Sequence, residues 1–138
     1  MSRAFPEIER SLQCHGISTV HYQIYAALSE APGHTLRLSE LAAGANVSQS
    51  RLSHRLRALI DRGDVIVSDD PDDRRAKNAT LTTSGFQRLE DVAPKHAEDV
   101  QRLIFDSLTP AQTEGLADAA STISEHLCEH PEYLNPKS

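Results

Sequence analysis

The chain has 138 residues, 38% hydrophobic and 25% charged, which fits one ordinary globular domain with one core. No apolar run approaches the ~18 residues of a membrane span, and MSRAFPEIER lacks the apolar stretch of a signal peptide, so a cytoplasmic location is expected. The net charge of -6 speaks against a uniformly basic surface, and two cysteines outside any CxxC pair, Cys14 and Cys128, speak against a zinc ribbon or a disulfide framework.

Residues 5–14 predict a short helix. "TVHYQIYAALSE" (19–30) predicts a second, with Val20, Ile24, Ala27 and Leu28 at helical spacing, ended by Pro32-Gly33. "HTLRLS" reads as a short extended piece. Ser39 suits the N-cap of "ELAAGAN", with Leu41 and Ala42 inward, and Asn46-Val47 forms a turn. Ser48 caps a longer helix, "QSRLSHRLRALIDR", whose Leu52, Leu56, Leu59 and Ile60 share one face and which Gly63 closes. "VIVS" (65–68) and "NATLT" (78–82) predict a two-stranded hairpin around "DDPDDRRAK", followed by a turn at Ser84-Gly85. Beyond Gly85, Phe86, Leu89, Val92, Ala93, His96, Val100, Leu103 and Ile104 recur at helical intervals to about Ser107. Pro94 is expected to kink or break that run near Ala93. Thr109-Pro110 restarts a helix through Leu116, Ala119, Ala120, Ile123 and Leu127, which Pro131 stops before eight frayed residues.

This order is mainly α with a small β-hairpin wing (α+β), a winged helix-turn-helix flanked by further helices. The charge is unevenly spread along it. Between Arg37 and Lys77 eight basic residues meet seven acidic ones, whereas the remainder has six basic and thirteen acidic. Local field, more than the total, decides whether a polyanion binds. With Leu52, Leu56 and Leu59 buried, 100° steps turn Ser50, His54, Arg57 and Asp61 outward and leave Arg51 beside the stripe. Small polar residues followed by long donors suit a helix whose N-terminal half enters a major groove. Its free N–H groups and dipole favour phosphate. At the wing tip, Arg74, Arg75 and Lys77 can reach a minor groove. Asp73 is expected to pair with one arginine and order the loop, whereas Asp69, Asp70 and Asp72 read as solvated. Set against this, the helix is equally a solvated amphipathic face, and the whole a winged-helix protein-interaction module without DNA binding.

The stretch "LRLSELAAGANVSQSRLSHRLRALIDRGDVIVSDDPDDRRAKNATLTTSG" resembles the core of a MarR-family transcriptional regulator. The matching features are "SELA", the serine-rich helix start, "L..RG.V" (59–65), "D.DDRR" and "LT..G" (81–85), and the likeness covers about residues 17–127. It implies a homodimer on a pseudo-palindromic double-stranded DNA operator, usually acting as a repressor. Many members of that family release DNA when a small, often phenolic, ligand binds. The implied plan for residues 1–138 is a single domain, with 17–85 the winged part and 1–16 and 86–130 the dimerisation helices. Arg51, Ser53, His54 and Arg57 fall on recognition-helix positions, and Asp73, Arg74 and Arg75 on the wing signature. With the helix start and the rest of the wing, the DNA-contact candidates are Ser48, Gln49, Ser50, Arg51, Ser53, His54, Arg57, Arg74, Arg75 and Lys77. His54 stands where many members have Arg, a shorter and titratable contact. Ser68 replaces a common basic residue. The segment before Ile17 is shorter than the family's first helix, which shifts dimerisation toward residues 86–127.

Other signals carry less. His126 and His130 in "HLCEH" have the i, i+4 spacing of metal ligands, but Cys128 lies about 200° round from His126, and no metal site or cofactor is expected. Cys14 and Cys128 read as small hydrophobes before they read as a thiol switch. His21, Tyr22 and Tyr25 are ligand-pocket candidates, although aromatics at helical spacing more often serve the core. No GxSxG, P-loop or GxGxxG occurs, so no enzyme is expected.

Overall fold

A computed structural model describes residues 3–45 and 47–130. Helix α1 spans Ala4–Cys14 and α2 Thr19–Glu30; β1 is Thr35–Arg37, α3 Leu38–Gly44 and α4 Gln49–Asp61. Strands β2 (Val65–Asp69) and β3 (Lys77–Leu81) form the wing, followed by α5 (Thr83–Leu103) and α6 (Pro110–Glu129). The fold is mostly helical with one small sheet, as expected. Asn46, placed in a predicted turn, and Pro131 with the tail lie outside the described residues. None of the described helices is long and apolar enough to cross a membrane.

The sheet has three strands, not two. Its order is β1-β3-β2, all antiparallel, with Thr35 opposite Thr80 and Val67 opposite Ala79. β1 adds its edge to β3, and the Thr35 and Thr80 hydroxyls bond across the pair at 2.8 Å. Ser39 is not a cap. Helix α3 begins two residues earlier, at Leu38, and its N-cap Arg37 donates its amide to Glu40 Oε2 at 3.2 Å. A carboxylate at the third helical position takes that role readily.

Helix α4 follows its pattern closely. Ser48 Oγ accepts from the Arg51 amide at 3.3 Å, and Gly63, at φ 76°, takes the left-handed turn just past the end that a side chain would resist. Leu52, Leu56 and Leu59 are buried, but Ile60 is 41% exposed. It sits about 80° round from Leu52, at the rim of the stripe. Together with Ile24, Tyr25 and Leu28 of α2, Leu41 and Ala42 of α3, and Val65, Ala79 and Leu81 of the wing, these leucines make one core.

Helix α5 starts at Thr83, so Ser84 and Gly85 belong to its first turn instead of to a loop. Thr82 Oγ1 receives the Gly85 amide at 3.1 Å and itself donates to the Gly63 carbonyl at 2.7 Å. The helix runs unbroken through Pro94. Proline removes one backbone hydrogen bond there, but packing on either side holds the flanking turns. Val92 is in the core, and buried Asp99 accepts from Ser11 and pairs with Lys95 at 3.3 Å.

The chain divides after Asp99 into two compact units. In the second, Thr109 and Gln112 cap α6 reciprocally at 2.9 and 3.3 Å, with Pro110 at its first position. No residue of α6 is buried. Leu116 is 40% and Ile123 60% exposed.

Candidate nucleic-acid interface

The outer face of α4 presents Gln49, Ser50, Arg51, Ser53, His54 and Arg57 to solvent. Two hollows border this face. Gln49 shares a hollow of about 300 Å³ with Ser39, Asp73, Arg75 and Lys77, so the start of α4 and the wing border a common surface. Ser50, Arg51 and His54 instead line a second hollow, of about 400 Å³, with Val20, Val47 and Arg55. Ser39 and Arg55 escaped the sequence reading. Arg55 was findable, since it lies one helical turn beyond Arg51. Ser48 spends its hydroxyl on the cap and lies 3.1 Å from Ser50 Oγ.

The wing is organised by an acid read as solvated. Asp70 is buried. Its Oδ1 accepts the Asp72 and Asp73 amides at 2.9 and 3.1 Å, and its Oδ2 meets Arg37 Nε at 3.0 Å. The loop closes on a bond from the Asp70 amide to the Ala76 carbonyl at 3.0 Å. Asp73 does act on the tip, but through the backbone: its Oδ1 accepts the Arg75 amide at 3.0 Å. It forms no ion pair with Arg74 or Arg75.

The described basic residues divide unevenly. Arg10, Arg37, Lys77, Arg88 and Lys95 are paired with acids. Among the described residues, the guanidinium groups of Arg51, Arg57, Arg74 and Arg75 form no ion pair, and Arg3, Arg55 and Arg62 join none either. Lys77 departs from expectation, meeting Asp69 Oδ1 at 2.7 Å across the base of the wing. Both partners are exposed, so a competing anion displaces that pair at little cost.

The Asp72 amide, aided by Asn78, the Asp73 amide and Arg37, holds the Asp70 carboxyl below its ordinary value of 3.8, against the opposing effect of burial. A carboxylate whose folded pKa is depressed stabilises above its unfolded pKa, and that contribution disappears as pH falls through the folded value. Protection of the Asp72 and Asp73 amides, relative to their intrinsic exchange, should therefore persist above the ordinary carboxyl value of 3.8 and be lost only as pH falls below it. In Asp70→Ala it should be absent throughout. Equal protection in both proteins at pH 6 would detach Asp70 from loop order.

The three ligand-pocket candidates separate. Tyr25 is wholly buried, and its hydroxyl donates to Asp64 Oδ2 at 2.8 Å. Burial and that neighbouring carboxylate push its ionisation far up. Asp64, unforeseen from the sequence, also receives Arg88 Nε at 2.7 Å and Ser84 Oγ at 2.9 Å. Tyr22 lies instead with the His96 ring, 4.2 Å between centroids. Nδ1 of both His21 and His96 is buried with no hydrogen-bond partner among the described residues. Desolvation lowers both imidazole pKa values, and Arg62 and Arg55 lower that of His21 further. Cys14 and Cys128 are exposed free thiols.

The chain is similar to known proteins in both sequence and fold. A family model described as MarR family matches residues 15–76. The crystal structure of AbsC, a MarR family transcriptional regulator from Streptomyces coelicolor, superposes with a TM-score of 0.85 at 34% identity, over 91% of this chain and 85% of that one. Sco3205, a MarR family transcriptional regulator from the same organism solved in complex with DNA, gives 0.86 at 35% identity, over 91% of this chain and 79% of that one. The HTH-type transcriptional repressor YetL of Bacillus subtilis is 30% identical over 89 residues, 64% of this chain and 53% of its own length. The match thus spans about half the length of that curated relative.

Proposed function

The chain belongs to the MarR family of transcriptional regulators, and from that premise we propose that it is a homodimeric, ligand-responsive repressor that binds a pseudo-palindromic DNA operator. The observation that carries this reading is the sorting of its cations. The arginines of the α4 outer face and the wing tip lack ion pairs among the described residues, while Arg10, Arg37, Lys77, Arg88 and Lys95 are each paired with an acid. A polyanion is the partner such a surface fits. In this reading α4 lies in a major groove, where Gln49, Ser53, His54 and Arg57 meet base edges and Ser48, Ser50 and Arg51 meet phosphates. Arg74 and Arg75 enter the flanking minor groove, and Asp73 fixes the tip. Lys77 contributes once released from Asp69. The DNA complex of Sco3205, at 35% identity, supports this placement. The repressor name of YetL supports repression.

Residues 17–85 form the DNA-binding part, and residues 1–16 and 86–130 the dimerisation part. Phe5 in the first unit and Leu116 and Ile123 in the second leave apolar surface that a second copy can cover. A small phenolic effector fits the half-buried His21–Tyr22 region, where two orphaned imidazole nitrogens can meet a hydroxyl or a carboxylate.

Selection of bound duplexes from a random pool tests the whole reading. The expected result is an enriched inverted repeat with half-sites about 10 bp apart, centre to centre. Absence of enrichment, together with no salt-sensitive binding to random duplex, would favour the protein-interaction module.

A further inference from the structure

We propose that the last turn of α6 is a transition-metal site, in which the imidazoles of His126 and His130 and the carboxylate of Glu129 hold one divalent ion of the zinc–copper–nickel class. Among the described residues this is the group of three histidine, cysteine or acidic side chains whose ligand atoms converge, all within 4.8 Å of one another. Backbone geometry fixes the spacing. The His130 amide donates to the His126 carbonyl at 3.1 Å, so the two rings sit one closed turn apart, with centroids 4.6 Å from each other. The rings are tilted by 52° instead of stacked flat. Small rotations of these side chains, all at least partly solvent-exposed, bring two ring nitrogens and a carboxylate oxygen to about 2.0–2.2 Å from a common centre.

The sequence alone sets Cys128 aside and leaves Glu129 unweighed; Glu129 completes the group. Glu129 lies three residues from His126 and adjacent to His130, while Cys128 points about 200° away from His126. A set of two imidazoles and one carboxylate selects against magnesium and calcium, which take oxygen ligands. Three protein donors also leave one tetrahedral position open for water or for an added group. The site belongs to the second unit, and it stands or falls independently of DNA binding.

The test is calorimetric titration of the full chain with Zn²⁺, paired with electron-spin-echo spectra of the Cu²⁺-loaded chain. One ion per chain is expected. Loss of an outer-sphere partner already costs metal sites about 10–100-fold in affinity. His126→Ala and His130→Ala, which remove direct ligands, should each therefore weaken binding by about tenfold or more. Glu129→Gln should weaken it less, and Cys128→Ser should leave it unchanged. The Cu²⁺ signal should show two imidazole nitrogens in the native chain and one in His130→Ala. These positions are at the end of a helix with no buried residue, so the circular dichroism of the variants should match that of the native chain. Native-like Zn²⁺ affinity in both histidine variants would overturn the proposal. So would its loss in Cys128→Ser, or a Cu²⁺ signal without imidazole.

Discussion

Replacing both Arg74 and Arg75 with alanine should weaken binding to duplex DNA by roughly tenfold or more at physiological salt and flatten its salt dependence. Each lost phosphate-neutralising cation removes about one unit from the slope of log affinity against log salt, so the double variant should lose about two units per bound protomer. The structure makes this a clean test. Neither guanidinium has an ion-pair partner to leave behind, and the loop is held by backbone bonds to Asp70 and Asp73, which both alanines preserve. Arg75 borders the same hollow as Gln49, and its single replacement should account for about half of the slope change. Lys77→Ala should change the slope less, because Asp69 already offsets that charge. Arg10→Ala serves as the control, since Arg10 is paired with Glu7 on α1. A salt slope unchanged in the double variant would take the wing off the DNA, and with it the reading that α4 and the wing act as one surface.

What could be read in advance was whatever the chain decides locally. The Ser48 cap, the Leu52–Leu56–Leu59 stripe, Gly63 past the helix end and the Thr109-Pro110 start all depend on neighbours within two turns, and all stand as expected. Several of the misses share a cause: their partners are distant in sequence. β1 was legible as an extended piece, but its pairing joins Thr35 to Thr80. Asp70 finds Arg37 across 33 residues, and Asp64 finds Tyr25 across 39. Nothing local distinguishes a solvated aspartate from one that ties a loop to a helix start. Pro94 misled in the opposite direction, because a local penalty was outweighed by core packing at Val92 and by the bonds of Asp99. For the candidate interface, the identity of the exposed arginines was visible at once. Which of them lack an acidic partner needed the fold.

Gly85→Ala should be the most damaging small substitution in the chain. A Cβ at this position would lie 2.3 Å from the Asp64 carbonyl oxygen and 2.6 Å from Leu81 Cδ1. The oxygen belongs to backbone and already accepts the Thr82 amide at 3.0 Å, so it cannot move without opening the joint between β3 and α5. Overpacking a rigid core typically costs about 1–3 kcal/mol, and a backbone obstacle puts this site at the upper end. The damage should spread to the buried carboxylate beneath it. Asp64 is held between Tyr25, Ser84 and Arg88, and displacing it leaves the Tyr25 hydroxyl unpaired in the core, which alone costs about 1–3 kcal/mol. Urea titration should therefore show a much lower midpoint for Gly85→Ala, and Asp64→Ala should share that fall. Gly44→Ala should be neutral or slightly stabilising, because nothing lies within 4 Å of the added methyl and alanine favours a helix. Equal midpoints for Gly85→Ala and Gly44→Ala would mean that the joint is looser than its contacts require, and that α5 is free to shift against the wing.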